Sequence, residues 1–305
     1  MIGRIVEIAE QGRHLSIKRG FMVVQSGGEE LGRVPLDDIG ALIANAHGLT
    51  YSNNLVLALA ERNAAFVLCG PNHQPAAFLW PLQTHHWQTL RMRAQIEAGA
   101  PVKKRLWQAL VQAKIAQQGA VLEALAQPAG AFETLARKVR SGDPENLEAQ
   151  AARRYWPLLF GEDFRRDTSA GGRNALLNYG YAILRSATAR AIMAAGLHPS
   201  LGLHHKNRNN PMCLVDDLME PFRPVVDLRV HALTQDGNVE VNPEAKAALA
   251  AVATFDTVGE RGITPLATAL ERLATSVARS LESGEAKPVL PKPGLPLDLA
   301  VPRLD

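Results

Sequence analysis

The chain has 305 residues, of which 47% are hydrophobic and 21% are charged, so its composition excludes wholesale disorder and allows more than one domain. Its two cysteines are too few for a disulfide framework or a four-cysteine zinc site. The formal net charge of +3 is too small to indicate a nucleic-acid-binding protein on its own.

The hydropathy pattern and the N-terminus predict where the protein resides. Charged residues interrupt the first ten positions, which predicts that the chain carries no secretory signal. No stretch reaches the roughly 18 uninterrupted apolar residues of a membrane-spanning helix. We therefore expect a cytoplasmic protein with no membrane partner.

Residues 1–75 carry short β-rich runs separated by turns that contain glycine. The runs are, in chain order, RIVEIAE, HLSIK, FMVVQ, ELGRVP, IGALIA and AAFVLCG. Ser52 is placed to cap a short helix, LVLALAER, between the last two runs. This spacing predicts a small antiparallel sheet or sandwich with one helix. The proline-rich segment that follows, residues 76–85, is interpreted as a linker.

From about residue 85 the apolar residues recur at helical spacing. The stripe that begins at Trp107 is interrupted at Gln117-Gln118-Gly119, and Asp143-Pro144 predicts a helix start. Further helices are expected over residues 174–195, 214–222, 242–252 and 264–282. The sequence therefore predicts an α+β protein, with a β-rich, sandwich-like N-terminal domain and a larger all-α domain over residues 86–284.

The C-terminal segment, residues 285–305, contains five prolines. Such a composition favours an extended tail, and we expect it to be disordered in the free protein.

The segment LHHKNRNNPMCLVDDLMEPFRP, residues 203–224, combines two histidines, three acids and several amides. Asp217 and Glu220 are three residues apart, so both carboxylates project from one face of a helix. Paired oxygen ligands suit magnesium or manganese, and an imidazole shifts the preference toward manganese. The alternative is structural: the acids cap the helix and the histidines are hydrogen-bonded interior residues. This segment alone favours neither interpretation.

Two other segments carry polar residues of interest. Glu148 is followed by the small residues of AQAA, so it could approach another helix closely, although its periodicity alone favours a surface position. The segment over residues 168–192 has polar side chains that could line a site, bind phosphates or form a polar seam between helices, the last being favoured. They are Arg173, Asn174, Asn178, Tyr181 and Arg185.

Basic residues are clustered in the helical half of the chain. Clusters of this kind neutralise phosphates, but each is equally well explained as solvated helix surface. The clusters are Arg91/Arg93, Lys103/Lys104/Arg105, Arg137/Lys138/Arg140, Arg153/Arg154 and Arg165/Arg166.

The segments EAQAARRYW, NALLNYGYAILRS, LGLHHKN and DDLMEPFRPVVD occur in this order behind a β-rich front. In this combination the chain resembles the CRISPR-associated adaptation endonuclease and integrase, the first-numbered Cas protein, in its type II version. The resemblance spans nearly the whole length. It implies an enzyme that inserts spacer DNA into the CRISPR array by attack of a 3′-hydroxyl on a phosphodiester.

The resemblance also implies a site. Glu148, His205 and Glu220 match the catalytic residues and metal ligands of the family, Asp217 matches an auxiliary ligand, and the cofactor is Mg²⁺ or Mn²⁺. Residues 86–284 would be the metal-dependent catalytic domain. The basic residues expected to contact DNA are Arg137, Lys138, Arg140, Arg165, Arg166 and Arg173.

The partners implied by the resemblance are double-stranded and branched DNA, namely the protospacer and the CRISPR repeat. It further implies a homodimer through residues 1–75, a hetero-oligomer with the second adaptation protein, and contact with the type II effector nuclease. Two other functions remain open from the residues: a non-catalytic DNA-binding scaffold, and a helical magnesium-dependent diphosphate-processing enzyme, because DDLME resembles an aspartate-rich motif.

Overall fold

The computed structural model describes residues 4–70, 75–79, 81, 85–260 and 262–294 of the chain. In its N-terminal part, strands form where the sequence predicts them. Helix α1 (Asn53–Glu61) begins after Ser52, whose hydroxyl accepts a hydrogen bond from the Leu55 N–H at 3.3 Å. The strands are β1 (Arg4–Ile8), β2 (His14–Lys18), β3 (Phe21–Ser26), β4 (Glu29–Pro35), β5 (Ile39–Ala44), β6 (Thr50–Tyr51), β7 (Ala65–Cys69) and β8 (Pro75–Leu79).

The strands assemble into two four-stranded sheets, with the orders β1-β5-β7-β8 and β4-β3-β2-β6. In the second sheet β2, β3 and β4 are antiparallel, as predicted. In the first sheet β1, β5 and β7 are parallel and β8 is antiparallel to β7, so the prediction of an antiparallel sheet is wrong there. Helix α1, which lies between β5 and β7 along the chain, belongs to the crossover that this parallel pair requires, and strands β2, β3 and β4 lie in the connection between β1 and β5.

The prediction of a linker over residues 76–85 is wrong in part. Residues 76–79 belong to β8, in which Phe78 pairs with Val67 and Leu79 pairs with Phe66 of β7. A proline at the first position of an edge strand is tolerated because its missing N–H need not join the ladder. Residues 80 and 82–84 of the predicted linker lie outside the described residues.

The C-terminal part is mainly helical, and the α+β fold class is confirmed. It also contains a hairpin that the sequence did not predict, formed by β9 (Asp256–Gly259) and β10 (Gly262–Pro265). Within the described residues, no helix is both long enough and apolar enough to cross a bilayer. The helices are α2 (Gln88–Glu97), α3 (Ala100–Ala124), α4 (Gly130–Lys138), α5 (Leu147–Phe160), α6 (Arg173–Ala194), α7 (Cys213–Met219), α8 (Arg223–Leu233), α9 (Pro243–Ala250) and α10 (Leu266–Ser283).

Three helix boundaries differ from the prediction. Helix α3 continues through Gly119, where a Cβ would lie 3.0 Å from the Cβ of Phe132, so the glycine allows α4 to pack closely. Helix α5 begins at Leu147 rather than at Pro144. The helix expected to end near Pro221 instead continues through a 3-10 turn, Glu220–Phe222, into α8. A proline is tolerated in the first turn of a helix because a backbone N–H at that position would have no partner within the helix.

The two faces of the first sheet pack against different layers, because alternate residues of a strand point to opposite faces. Leu42 and Phe66 lie in a core with residues of the second sheet and α1. Ile43 and Val67 instead pack on Ile183 of α6. The two halves of the chain therefore share an apolar interface.

A polar contact adds to this interface. Glu7 of β1 accepts hydrogen bonds from the hydroxyl of Tyr179 on α6 and from Nδ2 of Asn45. The ammonium of Lys246, on α9, lies 3.6 Å from the same carboxylate. A single acid in the first strand thus contacts two helices of the C-terminal part.

The described part of the C-terminal tail is ordered by specific hydrogen bonds. The N–H of Val289 donates to Ser276 Oγ at 2.8 Å, and the N–H of Lys292 donates to the Val258 carbonyl oxygen at 2.8 Å. Gln117 Nε2 donates to the Gly294 carbonyl oxygen at 2.5 Å. The prediction of disorder is therefore wrong for residues 285–294, while residues 295–305 lie outside the described residues.

The crossing of α6 and α8 depends on a glycine, and this can be tested. A Cβ at Gly180 would lie 2.5 Å from Val226 Cγ1, so Gly180→Ala should lower the free energy of unfolding by about 1–3 kcal/mol through overpacking. Gly130→Ala is the control, because a Cβ there meets nothing within 4 Å. Urea unfolding measures both variants, and equal stabilities would contradict the prediction.

Candidate active site

Glu148 lies in the first turn of α5, and residues just before the helix fix its position. The buried Asp143 carboxylate accepts hydrogen bonds from the N–H groups of Leu147 (2.9 Å) and Glu148 (3.0 Å). Asn146 Oδ1 accepts a third from Ala149 at 3.3 Å. These bonds satisfy N–H groups that a helix start leaves without partners. Glu148 therefore projects from a fixed helix end, with its side chain only 28% exposed.

Glu220 lies at the junction of α7 and α8 and is buried. Arg223 Nε donates to its Oε1 at 2.8 Å, and Lys114 Nζ lies 2.5 Å from its Oε2. Burial opposes the charged form, but Arg223 and Lys114 outweigh this effect and lower the pKa of Glu220 to about 2. Glu220 is therefore an ionised carboxylate in the protein interior.

Lys114 of α3 connects the two glutamates. Its ammonium contacts Glu148 Oε1 as well as Glu220, and the residue is only 7% exposed. Burial disfavours the ammonium, but the two carboxylates outweigh burial and raise the pKa of Lys114. Glu148 and Glu220, far apart in sequence, thus meet at one buried cation.

His205 is held by Asp217, which is fully buried in α7. Asp217 accepts hydrogen bonds from the N–H groups of Leu203 (2.6 Å), His204 (3.1 Å) and His205 (3.2 Å), and from His205 Nδ1 at 2.6 Å. This hydrogen bond raises the pKa of His205. Because a carboxylate can only accept, Nδ1 carries the proton and Nε2 of the neutral ring keeps its lone pair.

The loop that carries His205 is fixed from both sides. Gln95 Nε2 donates to the carbonyl oxygens of His198 and Leu201, both at 2.9 Å. A Cβ at Gly202 would lie 2.4 Å from the His205 carbonyl oxygen, so only glycine permits this close turn. The position of the imidazole therefore depends on residues of α2 and of the loop itself.

His204, for which the resemblance implies no role, has a packing role. Its ring stacks on Trp107 with centroids 4.3 Å apart and an interplanar angle of 5°. Burial lowers its pKa, which favours the neutral ring.

The structure brings together only part of the predicted site. Glu148 and Glu220 meet at Lys114, while His205 is bonded to Asp217. Within the described part of the chain, no three His, Cys, Asp or Glu side chains are close enough to hold a metal ion as they stand. The assignment of Glu148, His205 and Glu220 as ligands therefore stays a prediction.

Asp217 was predicted as an auxiliary ligand, and that role stays a prediction. Both of its oxygens already accept hydrogen bonds, from three backbone N–H groups and one imidazole. Asp217 positions the loop that carries His205.

Sequence reasoning missed Lys114 and Gln95, and it identified Asp143 only as a helix start, not as a residue that positions Glu148. For Lys114 a signal existed: it lies at helical spacing from Leu110 and Val111, within the buried stripe of α3. A charged residue in such a stripe requires a partner of opposite charge.

The predicted polar seam between helices is confirmed for Tyr181 and Arg185, whereas Asn174 and Asn178 bond to the loop over residues 165–168. Arg185 of α6 makes two hydrogen bonds of 2.8 Å to the carboxylate of Asp216 on α7. The Tyr181 hydroxyl donates to Asp227 of α8, a buried acid whose pKa burial raises to about 7. The acids of DDLME are thus bound within the protein, which does not support a diphosphate-binding motif.

The residues predicted to contact DNA lie in two kinds of environment. Arg137, Lys138, Arg140 and Arg165 are exposed, and Arg140 pairs with Glu145 on the surface. Exposed pairs of this kind contribute little to stability, so their cations remain available to phosphates.

Arg166 and Arg173 are less exposed and have partners within the protein. Arg166 donates to Asn174 at 3.0 Å and to Asn178 at 2.6 Å. Arg173 lies over the ring of Phe160, 5.5 Å from its centroid. Both arginines therefore make packing and hydrogen-bond contacts within the protein as well as carrying charge.

The role of Asp217 can be tested with Asp217→Asn, which keeps the shape but replaces one acceptor oxygen by a donor. We expect amide hydrogen exchange at residues 203–205 to accelerate about tenfold or more, since each unsatisfied buried group costs about 1–3 kcal/mol. Asp37→Asn is the control, because Asp37 pairs with Arg62 at the surface and is 66% exposed. Equal exchange rates at residues 203–205 in the two variants would refute the positioning role.

Comparison with known proteins identifies the family. The profile described as "CRISPR associated protein Cas1" matches residues 6–248. The CRISPR-associated endonuclease Cas1 of Neisseria meningitidis serogroup C (strain 8013) is 35% identical over 284 residues, which cover 92% of this chain and 93% of that protein.

Solved structures of low sequence identity share the fold. A casposase bound to integration product superposes with a TM-score of 0.77 at 19% identity, covering 99% of this chain and 94% of that one. A chain of a Cas6-RT-Cas1–Cas2 complex gives 0.71 at 17% identity, covering 94% of this chain and 36% of that one. With most of its length matched by the family profile and by a relative of 35% identity, the chain belongs to the CRISPR-associated protein Cas1 family.

Proposed function

We propose that this chain is a divalent-metal-dependent DNA endonuclease and integrase of CRISPR adaptation, which joins spacer DNA to the CRISPR array. The observation that carries the proposal is the meeting of Glu148 and Glu220 at one buried cation, next to a loop that presents His205. Membership in a family whose relatives are named endonucleases supports the class of reaction.

The donor set fits a divalent metal ion. Two carboxylates already converge on a positive charge, the Lys114 ammonium. The Asp217–His205 hydrogen bond leaves Nε2 as a nitrogen donor, an arrangement common to histidine ligands of metals. Glu148, His205 and Glu220 would hold Mg²⁺ or Mn²⁺, the ions suited to carboxylate oxygens with one imidazole. When bound, such an ion neutralises charge on a phosphodiester.

The chain's own residues supply position rather than a nucleophile. Transesterification requires a 3′-hydroxyl held in line with a phosphodiester, so a fixed arrangement of ligands and DNA contacts is sufficient. The cysteines are unsuited to attack, because burial raises the pKa of Cys213 and raises that of Cys69 to about 11. Asp143 and Asp217 contribute by fixing Glu148 and His205.

The proposed partners are branched and double-stranded DNA, a second copy of this chain, and the second adaptation protein. The titles of similar structures support them, since one chain belongs to a Cas1–Cas2 complex and another protein is bound to an integration product. We further propose that residues 1–75 form the homodimer and that the type II effector nuclease is a partner.

The ligands can be tested by Glu148→Gln, His205→Ala and Glu220→Gln. Each should reduce strand joining on a branched DNA substrate about a hundredfold or more, because removing one group that stabilises transition-state charge costs this much. DNA affinity should stay close to that of the wild type, as electrophoretic mobility shift shows it. Glu133→Gln is the control, since Glu133 is 77% exposed on α4. Full joining by all three variants contradicts the proposal, as does a parallel loss of binding by the Glu148 variant.

The DNA contacts can be tested by the salt dependence of affinity. Removing Arg137, Lys138 and Arg140 together should weaken binding by a similar factor for every DNA sequence and reduce the salt slope by about one per lost phosphate contact. The control variant removes Arg13, Lys18 and Arg33 from the N-terminal sheets and so changes the net charge equally. A loss of affinity confined to particular sequences, or an equal loss in the control, would exclude these phosphate contacts.

A further inference from the structure

The most unusual group outside the assigned ligand set is Lys114. Its ammonium is buried and lies at the point where the carboxylates of Glu148 and Glu220 converge. A surface ion pair contributes little, but loss of the cation from a buried cluster leaves a carboxylate without compensation, which is strongly destabilising. Lys114 therefore stabilises this arrangement strongly.

Each oxygen atom of Glu220 already lies against a cation. Oε1 accepts the hydrogen bond from Arg223 at 2.8 Å, and Oε2 lies 2.5 Å from Lys114 Nζ. Oε1 of Glu148 also contacts Lys114. A divalent ion that bridges Glu148 Oε1 and Glu220 Oε2 would therefore lie where the ammonium lies.

The charges lead to the same result. Lys114 and Arg223 balance Glu148 and Glu220, so the group is already neutral. A divalent ion added to it would leave two uncompensated positive charges in a buried site, which is costly. Displacing the ammonium halves this excess, and a lysine on its flexible four-carbon stem can move away more readily than an arginine can.

We infer that Lys114 competes with divalent metal for Glu148 and Glu220. The metal-free protein thus keeps a charge-balanced arrangement with low metal affinity. The inference rests on the proposed function, because it takes these glutamates as the metal ligands. The apparent dissociation constant for metal equals the intrinsic constant divided by the fraction of molecules in which the ammonium has left the carboxylates. Lys114 thus sets the metal concentration at which the enzyme is loaded.

The first experiment is calorimetric titration of the full chain with Mn²⁺ in the absence of DNA. Lys114→Met removes the charge and keeps the length, so its dissociation constant for Mn²⁺ should be about tenfold or more below that of the wild type. Lys246→Met is the matched control, because Lys246 pairs with Glu7 in the interface between the halves. It should bind Mn²⁺ as the wild type does.

A second measurement follows the wild-type protein and does not depend on Lys114→Met. In wild-type protein labelled with ¹³C-lysine, the Cε signal of Lys114 should move as Mg²⁺ is added, because the ammonium leaves the carboxylates. Its assignment comes from the signal missing in Lys114→Arg. An unchanged signal at saturating Mg²⁺ would overturn the inference even if the methionine variant does not fold.

The outcomes separate the inference from the proposed function. If wild type and Lys114→Met bind Mn²⁺ equally tightly, competition is refuted while the metal site and the proposed function stand. If neither binds Mn²⁺, the ligand assignment fails, and the inference fails with it. Tighter binding by Lys114→Met that is abolished by adding Glu148→Gln supports both.

Discussion

A carboxylate in a protein interior must be accompanied by a cation or by several hydrogen-bond donors, and this requirement organises the centre of the molecule. Glu220 meets it with cations from two different helices, Lys114 of α3 and Arg223 of α8. Asp217 meets it with backbone and imidazole donors from one loop. The contacts of Glu220 and Asp217 thus fix the relative positions of α3, α7, α8 and the loop that carries His205.

The same requirement explains why the site is precise although it draws on distant parts of the chain. Apolar packing tolerates small shifts, whereas a buried charge loses its compensation when a partner moves by about an ångström. Asp143 extends the principle to Glu148, because it holds the first turn of α5 through two N–H groups. The functional side chains are thus fixed by buried acids behind them.

Much of the fold could be predicted from the sequence because its signals are local. Short β-rich runs separated by turns that contain glycine indicated β1, β2 and β3, Ser52 indicated the start of α1, and helical spacing indicated α6. The failures depend on tertiary contacts. Strand β8 forms in a proline-rich segment because β7 offers its edge, and α3 continues through Gly119 because α4 packs there.

The candidate site shows the same division. The resemblance indicated Glu148, His205 and Glu220, and the spacing of Asp217 and Glu220 indicated an acid pair on one helix. The role of Asp217 could not be predicted, since its donors lie on a loop that the sequence places in no regular element. Lys114 carried a signal, a charge inside an apolar stripe, but its partners became evident only when α3, α5 and the 3-10 turn were seen together.

Glu7 links the β-rich N-terminal half of the molecule to its helical C-terminal half. This acid accepts a hydrogen bond from Tyr179 and pairs with Lys246, and Val67 packs on Ile183. Each half therefore covers polar and apolar groups of the other half. A fragment beginning at residue 85 would expose the apolar residues of α6 that pack on the sheet. It would also leave the side chains of Tyr179 and Lys246 without their partner Glu7. We therefore expect the unfolding of the two halves to be coupled.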